Sequence, residues 1–190
     1  MLDPTFIGIT KSTWDIVNGF ANWLAAIGSI AAAVVALYIA NRSTRPAARF
    51  SVGHRKIIEP GSTKPCPEYV VFRIVNTGDR PIRIVQIGWS IRWPKRCDAV
   101  QMYEKTLSSC LPVDLSHGQE ATWFIPLNAC DESWVVRFAK GMLMPHYRLS
   151  LWSLRAQAFS SVGFVFKVKP EANLLSRLEA TCEKVARNAS

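Results

Sequence analysis

From Phe20 to Ala40 the chain (FANWLAAIGSIAAAVVALYIA) is apolar except at Asn22 and Ser29, and no charged residue occurs between Asp15 and Arg42. These 21 residues, at about 1.5 Å each, make a helix of roughly 31 Å, the thickness of a bilayer core. A buried helix of a small soluble domain keeps a charged face, and this stretch has none, so the pattern predicts a single membrane span. Trp23 and Tyr38 stand near its ends and Trp14 one step further out, where amphipathic rings settle among headgroups. A cleaved leader is not expected, because one Lys11 precedes the stretch and Tyr38-Ile39-Ala40 closes it without a small-x-small site.

Beyond the span the period changes. Asn41 to Ala48 (NRSTRPAA) is a polar linker, and from Arg49 onward apolar residues alternate. Phe50 and Val52 open the first predicted strand, and after a Pro-rich stretch (EPGSTKPCP) the run from Tyr69 to Val75 forms the second. A turn at Asn76 to Pro81 leads to a long strand from Ile82 to Trp93. Strict alternation puts Val85, Ile87, Trp89, Ile91 and Trp93 on its core face, and Ile82, Ile84, Gln86, Gly88, Ser90 and Arg92 on the other. Leu111 to Leu115 and Glu120 to Pro126 are read as strands joined by the turn Ser116 to Gln119. Leu149 to Phe159 and Phe164 to Val168 are read as a closing hairpin around Ser160 to Gly163.

Two helices complete the picture. One runs from about Asp131 to Lys140, with Asp131, Glu132 and Ser133 suited to its start, an apolar stripe of Trp134, Val135, Phe138 and Ala139, and Gly141 as its end. The other follows Pro170, with Leu174, Leu175, Leu178, Cys182 and Val185 at helical spacing; it packs either on its own domain or on a partner subunit or membrane surface. The expected fold class is mainly β: one amino-terminal transmembrane helix, then a small β-sandwich or meander domain with one inserted helix and a C-terminal amphipathic helix. The expected divisions are a short extracytoplasmic segment (1–19), the span (20–40), a basic juxtamembrane linker (41–48), the β domain (49–170) and the final helix (171–190).

Charge orients this arrangement. The 190 residues carry +9, and residues 1–40 hold only Lys11, Asp3 and Asp15, which leaves +10 for the remainder. Arg42, Arg45, Arg49, Arg55 and Lys56 follow the span closely against Lys11 before it, so the positive-inside rule puts the carboxyl side in the cytoplasm of the inner membrane. Arg42, Arg45 and Arg49 are the expected contacts with the anionic inner leaflet. Five cysteines, odd in number and without metal-ligand spacing, suit reduced thiols in that compartment. Gly28, Ala32, Ala36 and Ala40 recur every four residues, and such a ridge lets two helices approach in lipid, so a homo-oligomer through the span is expected beside the plain reading that small residues are common there.

Candidate chemistry is sparse. His54, His117 and His146 are far apart and read as loop residues, and no HExxH, GxSxG, Walker-type or GxGxxG pattern occurs. No enzyme activity, metal or cofactor is expected. The remaining handle is a second basic group, Arg80, Arg83, Arg92, Lys95 and Arg96, on one predicted hairpin and its exit, with Arg92 expected on the face opposite Trp89 and Trp93. Such a group can hold an anion. Nucleotide, acidic protein and phospholipid fit equally, while polymeric nucleic acid is disfavoured because no aromatic ring is interleaved on the basic face.

The stretches NWLAAIGSIAAAVVAL, RPAARFSV, VVFRIVNTGDRPIRIVQIGW and LPVDLSHGQEATWFIPL resemble the bacterial single-span proteins of unknown function that carry a small immunoglobulin-like sandwich in the cytoplasm. The likeness covers roughly residues 20–170 and implies architecture, with Gly78 for a turn and Trp89 for a core, and no catalytic residue. By layout alone the chain also looks like membrane effectors of bacterial antiphage cyclic-nucleotide signalling. The expected function is a membrane-anchored binding module facing the cytoplasm, taking an unidentified protein or anionic ligand; the alternative is an oligomeric effector that senses an anion such as a nucleotide and disrupts the membrane.

Overall fold

The computed structural model describes residues 5–6, 9–43, 46–58, 66–128 and 132–188. Arg45, Cys130 and Asp131 lie outside the described residues, as does the side chain of Arg42. The chain divides into two units, Met1–Arg45 and Pro46–Ser190.

In the first unit β1 (Thr5–Phe6) and β2 (Ile9–Thr10) pair antiparallel, and α1 follows at once over Lys11–Ser43. The apolar stretch of this helix is Trp14–Ala40, longer than the composition of the span alone required, and none of its most apolar window is buried against protein. It is long and apolar enough to cross a membrane.

Among the described residues the second unit is mixed, with eight strands in two antiparallel sheets and further helices. β3 (Ala48–Lys56), β4 (Glu68–Asn76) and β8 (Glu120–Pro126) form the three-stranded sheet, in register so that Val52, Phe72 and Trp123 face one another. The other sheet runs in the order β10 (Val165–Val168), β9 (Arg155–Ser160), β5 (Ile82–Ile91), β6 (Cys97–Val100), with β7 (Val113–Leu115) also on β5. Phe72 from one sheet and Trp89 from the other meet edge to face, centroids 5.0 Å apart, at the middle of the shared core.

Two turns therefore differ from expectation. Asn76 to Pro81 does not close a hairpin, because β4 and β5 belong to different sheets; likewise β7 pairs with β5 while β8 pairs with β4. Each turn is a corner between sheets. Asn76, fully buried, holds both: its side-chain amide donates to the carbonyls of Arg80 and Leu115, each at 2.8 Å, and its oxygen accepts from Gly78 N–H at 2.9 Å. At Gly78 the approach is close, since a Cβ there would lie 3.1 Å from Ala47 N, whereas φ is positive at Gly118 and Gly163.

The phase of β5 also changes within the strand. A bulge between Ile84 and Gln86 shifts its register with β9, so Ile82 and Ile84 are buried before it and Ile87, Trp89 and Ile91 after it. Strict alternation had placed Ile82 and Ile84 outward and Val85 inward; Val85 is exposed. Trp93, past the strand end, is 52% exposed rather than core.

Helices differ more. The segment expected as strand from Leu149 begins as α3 (Tyr147–Ser153), and only Arg155–Ser160 is strand. Leu149 and Leu151 alternate as in a strand, yet the inward residues are Tyr147, Leu151 and Leu154 at helical spacing. The inserted helix starts at Trp134, as α2 (Trp134–Phe138), and passes Gly141 as a π-helical turn, Ala139–Leu143, that buries Ala139 and Leu143. Glu132 does not cap it but meets Lys140 Nζ at 2.6 Å. Trp134 stacks on Phe138 at 4.7 Å, and both rings reach Trp89. α4 (Ala172–Arg187) buries Leu174, Leu178 and Cys182 in the same core, so this helix packs on its own unit.

Candidate functional site

The five basic residues singled out in the sequence do not form one site. Arg83 and Arg92 stand at opposite ends of β5 and its exit, nine positions or about 30 Å of extended chain apart. At the near end Arg83 is exposed and lies 3.6 Å from Asp114 on neighbouring β7, and Arg80 is exposed in the corner before the strand. The far end is different. Arg92 and Arg96 line a cleft of about 380 Å³ on the outer face of the larger sheet, while exposed Lys95 does not line it.

Register builds this cleft. Ser90 of β5 sits between Arg155 of β9 and Asp98 of β6, and one pair further along Gly88 sits between Gln157 and Val100, with Lys167 of β10 beyond Gln157. Small Ser90 on the central strand lines the recess, with the longer side chains of Arg92, Asp98, Gln157 and Lys167 around it, while at Gly88 a Cβ would lie 2.3 Å from the Ala99 carbonyl oxygen, so β6 closes over that position. A second lobe of about 340 Å³ continues from the first, sharing Ser90, Arg92 and Lys167 and adding Trp93, Trp152, Ser153 and Arg155. Both volumes fall at the small end of the range for small-molecule sites.

The second lobe is tied together by α3. The Ser153 hydroxyl donates to the carbonyl of Trp93 at 2.6 Å and accepts from its N–H at 3.3 Å, which fixes the exit of β5 to the end of the helix carrying Trp152. Arg155 Nη1 donates to the carbonyls of Trp152 at 3.2 Å and Leu154 at 2.8 Å, so its guanidinium is held at the rim. Trp152 is 70% exposed, and no packing requirement accounts for so much indole in water. Gln157, 4% exposed, is one of the residues lining the first lobe. Around the two lobes stand Arg92, Arg96, Arg155 and Lys167, against one carboxylate, Asp98, which Arg96 Nε meets at 3.2 Å.

The expectation that the basic face lacks aromatic rings thus fails, for Trp93, Trp152 and Phe159 line it. Arg155, Lys167, Trp152 and Gln157 went unnoticed because they come from a segment misread as one long strand and from β10, which only the register brings beside β5. The pairing of exposed Trp with Arg within four residues at 152–155 was the available signal.

A second cluster of charge is structural. Glu68 accepts from Lys56 at 2.9 Å and from Arg177, and Arg177 Nη1 lies 3.0 Å from His54 Nε2. The hydrogen bonds from Arg177 and Lys56 hold the Glu68 carboxyl down at about 2. Burial, with Arg177 second, pushes the His54 imidazole below 6.5, which suits a neutral ring accepting from the guanidinium. His54 therefore lies in β3 rather than a loop, and the network, with Arg55 bidentate on Glu171 at 2.7 and 2.8 Å, docks α4. His117 remains in its turn, Nδ1 3.2 Å from the Gly78 carbonyl. Among the described residues no group of His, Cys, Asp and Glu is placed to hold a metal ion, and burial pushes the Cys182 thiol up to about 11.

Of the residues expected at the leaflet, Arg49 is exposed at the start of β3. Gly28, Ala32, Ala36 and Ala40 are exposed on α1, and a side chain added at Gly28 would meet nothing within 4 Å.

No family model and no curated protein matches the chain. Two solved structures to which it is similar are a Bordetella pertussis protein assigned as ApaA and a protein assigned to the late embryogenesis abundant group. The first is 16% identical over 66% of this chain and 89% of that one, with a TM-score of 0.29. The second is 15% identical over 84% of this chain and 90% of that one, with a TM-score of 0.27. At such scores neither likeness bears on fold or function.

Proposed function

We propose that the chain is a single-span protein of the inner membrane, amino end outside, whose cytoplasmic unit is a sandwich-like, non-catalytic module that binds an anionic ligand in the cleft beside Arg92. The observation that carries this reading is the convergence of Arg92, Arg155 and Lys167, from three different strands or strand ends, on one recess whose nearby carboxylate is already taken by Arg96. Cations in a recess attract one another's counter-ions more strongly than cations scattered on a convex surface. The span and the basic excess behind it support the orientation. Arg42, Arg45 and Arg49 would then lie against the anionic leaflet.

The test uses the full chain in nanodiscs of zwitterionic lipid with inorganic pyrophosphate as probe. Calorimetry should detect binding that Arg92→Glu combined with Lys167→Glu abolishes and Arg83→Glu leaves intact; equal loss in all variants sinks the assignment of the cleft. A tag after Ser190 should resist protease added outside sealed cells, and its digestion would overturn the orientation.

The effector reading has one supporting observation, the exposed ridge from Gly28 to Ala40, which offers a second copy of the helix a surface for close approach. Under that reading Gly28→Leu weakens association in a membrane two-hybrid measurement more than Leu37→Ala does.

A further inference from the structure

The second lobe of the cleft joins cations to aromatic rings, and that combination narrows the ligand. The second lobe brings two indoles, Trp93 and Trp152, beside Arg92, Arg155 and Lys167, while the first shares Arg92 and Lys167 and adds Gln157 and Phe159. An inorganic anion needs the cations alone. A ligand that also covered the indoles would remove the most exposed tryptophan surface of this unit from water, for Trp152 is 70% and Trp93 52% exposed. Aromatic faces suit planar rings, and a planar ring joined to a phosphate chain offers a part to each kind of side chain in this one lobe.

We infer that the cleft binds a nucleotide, with its phosphates among Arg92, Arg155 and Lys167 and its base against Trp152 and Trp93, an inference that rests on the anion-binding reading above. Three cations match a short phosphate chain. Arg155 is held by carbonyls of Trp152 and Leu154, and Ser153 fixes the backbone of Trp93 to the same helix, so one cation and the chain segment carrying one ring are positioned before the ligand arrives. A flat anionic membrane surface fits less well, because the cations and rings line a recess of about 340 Å³ rather than a convex face. The sequence concealed this site by dividing it among β5, α3, β9 and β10.

ADP is the probe, since it can be divided into pyrophosphate and adenosine. Equilibrium dialysis against the full chain in zwitterionic nanodiscs should show ADP bound at least tenfold more tightly than pyrophosphate, and adenosine competing weakly. Trp152→Ala, at an exposed position where folding is unaffected, should lower ADP affinity about tenfold and leave pyrophosphate unchanged. Arg92→Glu should weaken both. If ADP and pyrophosphate bind alike and Trp152→Ala alters neither, the nucleotide inference fails while the anion site stands. If neither ligand binds, both readings fail. Binding to vesicles of anionic lipid, lost in Trp152→Ala while ADP does not compete, would assign the surface to the membrane and overturn the inference.

Discussion

α1 is apolar along most of its length and α4 is amphipathic, and the two dispose of their apolar surface in opposite ways. From residue 15 to residue 40 every side chain of α1 is exposed, Phe20, Trp23, Leu24 and Ile30 among them. α4 carries Leu174, Leu178 and Cys182 on one side, all fully buried, and Arg177 on the side that reaches Glu68. The difference lies both in how much polarity each helix carries, with no charge between Asp15 and Arg42 but five charged residues from Arg177 to Arg187, and in where it is placed. A helix apolar all round has no side to turn towards water and needs lipid or other spans, whereas a one-sided helix needs one protein surface and finds it in its own core. Its charges then choose the angle at which it docks.

The largest test of that contrast exchanges equivalent truncations. Leu178→Ala in α4 opens a cavity in a core shared with both sheets and should cost about 2–5 kcal/mol, read as a lower unfolding midpoint of the full chain in detergent. Leu37→Ala in α1, 72% exposed, should move that midpoint by no more than about 0.5 kcal/mol. Similar losses from both would mean that α1 also packs on protein.

A smaller effect tests whether charge docks α4. Glu68 titrates at about 2 in the fold against 4.5 unfolded, so its contribution is complete above about 4.5 and disappears as the pH falls towards 2. His54, lowered from 6.5 in the fold, removes stability as the pH drops below 6.5, because the unfolded imidazole takes its proton first. Stability should therefore decline in two steps on acidification. Arg177→Met should remove about 1–3 kcal/mol at neutral pH and flatten the lower step, measured by denaturant unfolding at a series of pH values. An unchanged lower step would show that Lys56 alone accounts for the shift at Glu68.

The same contrast explains what could be read from the sequence. α1, β3, β4 and β8 were legible because each has a single neighbouring environment, and an uninterrupted period follows from that. β5 was legible as a strand but not in phase, since the bulge at Val85 exchanges its faces and only pairing with β9 reveals it. α3 was missed because Leu149 and Leu151 alternate over a stretch too short to separate the two periods, and the choice is made by the core around Leu154. The cleft suffered most. Arg92 and Arg96 were found because they follow β5 directly, while Arg155 and Lys167 reach it through register, a relation between segments that no local pattern contains.

The smallest expected effect lies at the end of β5 where the sequence placed site residues that the fold does not gather. Arg83 and Asp114 face each other across β5 and β7 at 3.6 Å, with 52% and 69% of their side chains exposed. Water screens such a pair, and two long side chains lose freedom in holding it, so exposed pairs contribute about 0–1 kcal/mol. A double-mutant cycle with Arg83→Ala and Asp114→Ala should give a coupling below about 0.5 kcal/mol that vanishes in high salt. Arg83 then has neither a structural nor a ligand-binding task, in contrast to Arg92 at the other end of the same strand, where the outer face is recessed and three further cations converge. A coupling above about 1 kcal/mol would mark the β5–β7 edge as an organised site after all, and would return Arg83 to the set of residues a ligand could use.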